Sequence, residues 1–248
     1  FSSVLISGSG TVALEMAVSS CLSEKRSILV LENGVYGERI SRIADCHSLK
    51  KHSLHWSWGQ WPDLETIESR LKANPDIEVV AMVHHETTTG LLNPIAKVGH
   101  LARQYGKRFL VDCISSIGGD EIDFEGWGLD FCVGTSNKCL QGLPGVSFVL
   151  FRSEEVERLG KISARSLYMN LHQNFKSQEN GAPLFTPAVQ IHYALDEALS
   201  ELIDETAASR IRRYKNSALF LRDGFEKLNL DFLIPRDHYS NCLTSLKL

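Results

Sequence analysis

The stretch Arg108-Phe109-Leu110-Val111-Asp112-Cys113-Ile114-Ser115-Ser116-Ile117-Gly118-Gly119 decides the architecture. An apolar run of strand length ends on a carboxylate and then breaks into small and polar residues. A buried parallel strand leaves its sheet in this way. The next such unit, Phe131-Cys132-Val133-Gly134-Thr135-Ser136-Asn137-Lys138, ends on an amine 26 residues after the carboxylate. Working outward, similar runs predict strands at 4–7, 27–31, 52–56, 78–83 and 146–151. Helical periodicity predicts helices at 11–22, 36–46, 63–73 and 95–105, with Asp63 as a cap after Pro62. Alternation of this kind implies an α/β chain with three layers, a mostly parallel sheet between helices. Ligands then gather at the carboxyl ends of the strands, where Asp112 and Lys138 both fall.

Composition removes several classes of function. Twenty-six Lys and Arg stand against 30 Asp and Glu in 248 residues, a net charge of −4, without the basic excess that nucleic-acid binding requires. No apolar run approaches the roughly 18 residues that would span a membrane. The six cysteines form no C-x-x-C pair, which suits a reducing compartment and predicts a cytoplasmic protein with mostly buried thiols. The chain opens on Phe1-Ser2-Ser3-Val4-Leu5 and stops at Ser245-Leu246-Lys247-Leu248, both inside strand-like sequence, so both ends read as cut. Residues 188–228 are helical and amphipathic with a break near 206–209, and 232–248 return to strand-like alternation. The expected organisation is a large domain over 1–208, then a connecting helix and the start of a small C-terminal domain over 209–248. Arg210, Arg212 and Arg213 read as a solvated helix face. The Trp56-Ser57-Trp58 and Trp61 cluster reads as packing over a sheet edge. His84 and His85 stand at a strand end with no third metal ligand evident.

After the first strand, Ser7-Gly8-Ser9-Gly10-Thr11-Val12-Ala13 opens a helix with small residues. Backbone N–H groups can converge there on an anion, and the helix dipole adds to the attraction. One reading is a dinucleotide fingerprint, Gly8-x-Gly10-x-x-Ala13, with Glu32 lying 22 residues beyond Gly10 to grip a ribose. Its rival is another phosphorylated cofactor. Asp112 and Lys138 favour the rival, pyridoxal phosphate (PLP). That cofactor needs an amine to bond its aldehyde, a carboxylate to keep its ring nitrogen protonated and a cradle for its phosphate. Lys138, Asp112 and Ser9-Gly10-Thr11 supply these three, whereas a nicotinamide enzyme leaves Asp112 and Lys138 without a purpose.

The chain resembles the class V aminotransferase group of fold-type I PLP enzymes. The resemblance is carried by Gly8-Ser9-Gly10-Thr11 with Glu15, Asn33-Gly34-Val35-Tyr36-Gly37, His85-Glu86-Thr87-Thr88-Thr89-Gly90, Val111-Asp112 and Ser136-Asn137-Lys138-Cys139-Leu140-Gln141-Gly142. The Glu-Thr-Thr-Thr-Gly and Asn-Lys-Cys-x-Gln-Gly runs are most similar to the 2-aminoethylphosphonate–pyruvate transaminases. Alanine–glyoxylate and serine–glyoxylate aminotransferases are the near alternatives. The resemblance implies an amino donor and a 2-oxo acid as substrates. It also implies that Tyr36 stacks on the cofactor ring, Thr88 bonds the ring hydroxyl and Asn137 approaches the phosphate. Phe185-Thr186-Pro187 would extend Thr186 to the phosphate of a neighbouring subunit, which makes the protein a homodimer. An arginine that positions the donor's anion is expected in the small domain, beyond the last residue of this sequence.

Overall fold

The computed structural model describes residues 1–247; Leu248 lies outside the described residues. Seven strands form one sheet: β1 (Ser2–Ser7), β2 (Ser27–Glu32), β3 (Lys51–His55), β4 (Ile77–Val83), β7 (Arg108–Asp112), β8 (Phe131–Thr135) and β9 (Val146–Phe151). Their order is β1-β9-β8-β7-β4-β2-β3. β3, β2, β4, β7 and β8 run parallel, while β9 is antiparallel to both β8 and β1. A two-residue ladder, β5 (His85–Glu86) with β6 (Leu91–Leu92), follows β4 and has no counterpart among the strands expected from the sequence.

The helices are α1 (Gly10–Ser20), α2 (Val35–Cys46), α3 (Leu64–Ala73), α4 (Ile95–Gln104), α5 (Val156–Leu159), α6 (Leu171–Glu179), α7 (Val189–Glu205) and α8 (Ala207–Lys227). Side chains alternate across the sheet with period two, so each strand feeds both faces. Ile28, Val30, Leu110, Phe131 and Val133 point to the face covered by α1, α2 and α6. Leu29, Leu31, Phe109, Val111 and Cys132 point to the face covered by α3 and α4. Strands buried on both sides are apolar through their centres, and SILVLE and IEVVAMV follow that in β2 and β4, with Ser27, Glu32 and Glu78 near the strand ends. Among the described residues no helix is long and apolar enough to cross a membrane.

Most expected elements lie within two residues of their positions in the structure. Asp63 caps α3 by accepting from Thr66 N at 2.8 Å. The break between α7 and α8 falls at Thr206, with φ +67° and its hydroxyl accepting from Ser209 N. Two expectations are corrected. Arg210 is no solvated residue: it is 2% exposed, with Nε donating to Glu205 at 2.7 Å and Nη1 donating to the carbonyls of Cys139 and Leu140. Among the described residues, the segment 232–247 forms no extended strand, only the isolated bridges Phe232–Leu246 and Leu91–Tyr239. Its polar groups are committed to loops instead, with Ser240 N donating to the Gly90 carbonyl and Ser240 Oγ to Asp120.

Phe131 is fully buried in the middle of the sheet, on the α1–α2 side. Phe131→Ala is expected to cost about 3–5 kcal/mol of unfolding free energy in urea titrations. Phe220→Ala, on the outer face of α8 at 79% exposure, should stay within about 0.5 kcal/mol of the parent.

Candidate active site

Parity along the strands builds the floor of the site. Val83, Asp112 and Thr135 end β4, β7 and β8 on the same face as Leu110 and Val133, and all three line one cavity. The start of α1 closes it through Ser9, Gly10 and Thr11, and α2 through Tyr36 and Arg39. Ile114, Ser115 and His85 complete one wall, and Asn137 and Lys138 stand at the solvent-exposed rim. Gly10 is required by close approach, because a Cβ there would lie 2.8 Å from Ile114 Cδ1.

Asp112 is 3% exposed, and among the described residues its carboxylate has one hydrogen bond, accepted by Oδ1 from Ile114 N at 2.9 Å. Burial is the main force pushing its carboxyl up to about 6, with Glu86 adding to it and the Ile114 bond and Arg39 opposing. Glu86 lies at the other side of the α2 start, where its carboxylate accepts from Tyr36 N, Gly37 N and Thr88 N. A carboxylate at that place satisfies N–H groups that the first helical turn leaves free and complements the dipole. Tyr36 is thereby held over the cavity, and Arg39 lies 4.5 Å from its ring centroid while donating to Thr11 Oγ1 at 3.3 Å.

The turn carrying Lys138 is fixed from several sides. Ser136 Oγ donates to the carbonyls of Leu143 and Val146, and Thr135 Oγ1 donates to Asn137 Oδ1 at 2.9 Å. Gln141 N donates to the Lys138 carbonyl at 2.9 Å, and its left-handed conformation, φ +67°, turns the chain so that Gly142 N reaches the Ser136 carbonyl at 2.8 Å. From behind, Arg210 binds the carbonyls of the two residues that follow Lys138.

Of the residues singled out in the sequence, Ser9, Gly10, Thr11, Tyr36, Asp112, Asn137 and Lys138 meet in this cavity. Thr88 does not line it: its hydroxyl donates to Glu86 Oε1 and accepts from Val35 N, which ties it to the start of α2. Thr186 lies at a different cavity, of about 550 Å³, between the end of β1 and the start of α7. Glu32 is also elsewhere, bonded to Ser41 and 3.2 Å from His55, so the dinucleotide reading loses its ribose ligand. Arg39 and Thr135 are site residues that the sequence reading does not single out. Arg39 could have been found from its i+3 spacing to Tyr36 on a helix face, and Thr135 from its strand parity with Val133.

Comparison with known proteins agrees with this geometry. The profile of the aminotransferase class-V family matches residues 2–224. The chain belongs to that family. A 2-aminoethylphosphonate–pyruvate transaminase of Syntrophobacter fumaroxidans is 37% identical over 99% of this chain and 67% of its own length. A bifunctional phosphonoacetaldehyde hydrolase/aminoethylphosphonate transaminase of Clostridioides difficile is also 37% identical, and there the chain spans 39% of the relative. Among solved structures, an alanine–glyoxylate aminotransferase of Nostoc sp. superposes with a TM-score of 0.91 at 27% identity, over 99% of this chain and 66% of that one. A pyridoxamine–pyruvate aminotransferase of Mesorhizobium loti superposes with a TM-score of 0.92 at 26% identity, covering 64% of that chain.

Class V aminotransferases use PLP, and the cavity suits it. A helix N-terminus with a nearby guanidinium offers an anion pole, a buried carboxylate awaits a cationic ring nitrogen, and an amine stands at the rim.

Asp112 generates a stability prediction. A carboxyl raised in the folded state binds its proton more tightly there than in the unfolded chain, so stability falls as pH rises from about 4 to about 6 and stays lower above. About two pH units correspond to about 3 kcal/mol. The cofactor-free Asp112→Asn variant, which keeps an acceptor for Ile114 N, should therefore gain stability over its parent between pH 5 and pH 8. Urea unfolding at the two pH values checks this, and a parent at least as stable as the variant at pH 8 contradicts it.

Proposed function

We propose that the protein transfers the amino group of 2-aminoethylphosphonate to pyruvate, giving phosphonoacetaldehyde and alanine, with PLP as cofactor. The observation that carries the aminotransferase chemistry is the buried Asp112 carboxylate sharing one cavity with the Lys138 amine and the α1 N-terminus. PLP supplies an electron sink for the pair left when a substrate carbon loses its proton. Asp112 would keep that sink effective by accepting a charge-assisted hydrogen bond from a protonated ring nitrogen. Lys138 would hold the cofactor, and its Nζ, standing at the rim of the cavity, would serve as the base that takes the proton from the substrate carbon and the acid that returns it. Ser9, Gly10, Thr11 and Asn137 would receive the phosphate, and Arg39 would add positive charge at that pole. Tyr36 would stack on the ring, from a helix start fixed by Glu86. Thr88 enters this reading through Glu86 and Val35, as a support of that helix start.

The substrate assignment rests on the aminoethylphosphonate relatives and on the runs Glu86-Thr87-Thr88-Thr89-Gly90 and Asn137-Lys138-Cys139. A glyoxylate aminotransferase is the second reading, supported by the Nostoc structure. The protein is read further as a homodimer with a shared site. Tyr193, 73% exposed, stands with Tyr168 and Phe185 around Thr186, and apolar groups of this size suit burial by a second subunit. Six free cysteines support action in the cytoplasm.

A donor screen with the PLP-loaded protein tests the reading. With pyruvate as acceptor, alanine should form from 2-aminoethylphosphonate and not from serine. Lys138→Ala should lower turnover about a thousandfold or more while still binding PLP through its phosphate. Glycine formed from serine and glyoxylate, with no reaction of the phosphonate, overturns the substrate. Near-normal turnover of Lys138→Ala overturns the mechanism.

A further inference from the structure

Beside the Lys138 turn, three segments remote in sequence bring a nitrogen, an oxygen and a sulfur together. One ring nitrogen of His85, a carboxylate oxygen of Asp120 and Sγ of Cys242 all lie within 4.8 Å of one another. His85 and Asp120 are each 2% exposed. His85 Nδ1 sits 3.2 Å from the Ser115 carbonyl, which keeps its proton on Nδ1 and leaves the lone pair on Nε2. That Nε2 is buried and has no hydrogen-bond partner among the described residues. Buried polar atoms are seldom left so, and a backbone carbonyl on the far nitrogen is the usual way a ligating histidine is oriented.

Asp120 is equally fixed. It accepts from Ser240 Oγ at 2.6 Å and Asn241 N at 2.8 Å, and its oxygens keep lone pairs beyond these bonds. A second thiol, Cys139, stands with Sγ 3.3 Å from that of Cys242. Gly119 leaves room for both, since a Cβ there would lie 2.5 Å from Cys242 Sγ and 2.7 Å from Cys139 Sγ. Imidazole, carboxylate and thiolate together suit zinc and not the hard cations magnesium and calcium. Bonds of about 2.0–2.3 Å place tetrahedral zinc donors about 3.5 Å apart, so small side-chain rotations would close the set.

We propose that His85, Asp120 and Cys242 bind one zinc ion, with the Cys139 thiol beside the remaining coordination position. Binding forms a sulfur–zinc bond at Cys242 and releases the thiol proton to solvent; no electron is transferred. The ion ties residues 240–242 to the loops after β4 and β7 and lies against the turn that carries Lys138. None of this depends on which amino donor the enzyme uses.

The test is zinc binding by tag-free, PLP-loaded protein kept reduced, measured by elemental analysis and by competition with a chromophoric chelator. One zinc per chain is expected. Cys242→Ser and His85→Asn should each weaken binding at least about tenfold. Cys46→Ser, at the exposed end of α2, should leave it unchanged. Circular dichroism confirms that each variant is folded, and if His85→Asn does not fold, the affinity of Cys242→Ser decides. Absence of zinc from the parent protein overturns the proposal, as does equal affinity in the parent and Cys242→Ser. Two thiols that only form a disulfide, with no zinc affinity after reduction, overturn it as well.

Discussion

A carboxylate buried at the end of a central strand, with a single backbone hydrogen bond among the described residues, is the constraint on which the rest of this structure depends. Asp112 is 3% exposed, and its surroundings push its carboxyl up to about 6. An isolated buried charge is unfavourable, and a cationic ring nitrogen is what would reverse the penalty. The sheet supplies the position. β7 lies between β4 and β8, with Val83 and Val133 directly beside Asp112 in the register. The two-residue alternation then turns the carboxylate toward α1 and α2, so the N-terminus of α1, the aromatic ring of Tyr36 and the amine of Lys138 converge on one side.

Holding that convergence in place takes groups far from the reacting atoms. Glu86 fastens the beginning of α2, and with it the ring of Tyr36. Arg210 reaches from α8 to the carbonyls of Cys139 and Leu140, so the lysine turn rests on a helix that begins 69 residues after Lys138. The segment at 240–242 leans on Asp120 next to the same turn. Site geometry in this fold is therefore a property of the loops as a set, braced by the C-terminal third of the chain.

How much of this the sequence discloses follows from the range of the forces. The strands and α1 to α4 are legible because burial on two faces demands continuous apolar runs, and SILVLE or RFLVD reads only one way. Asp112 and Lys138 are legible because each interrupts such a run at its carboxyl end. Helix α6 is not, since LHQNFKSQE offers few apolar positions and is held by packing of Leu171 and an Asn170 cap. Arg210 looks like a surface residue until the carbonyls of residues 139 and 140 arrive from about 70 positions away. The alternation after residue 232 suggests a strand, yet its pairing is confined to single bridges, Phe232 with Leu246 and Tyr239 with Leu91 of β6, and no continuous ladder forms. Thr88 looks free to reach a ring hydroxyl, and Glu86, two residues earlier, takes its hydroxyl first.

In the proposed function, Asp112 would hold a proton on the cofactor's ring nitrogen. Nitrogen-15 NMR of the enzyme loaded with ring-labelled PLP observes that proton directly. A protonated ring nitrogen is predicted throughout pH 6–9 in the parent protein, and a deprotonated one in Asp112→Asn. The same protonation state in both proteins would contradict this role for Asp112.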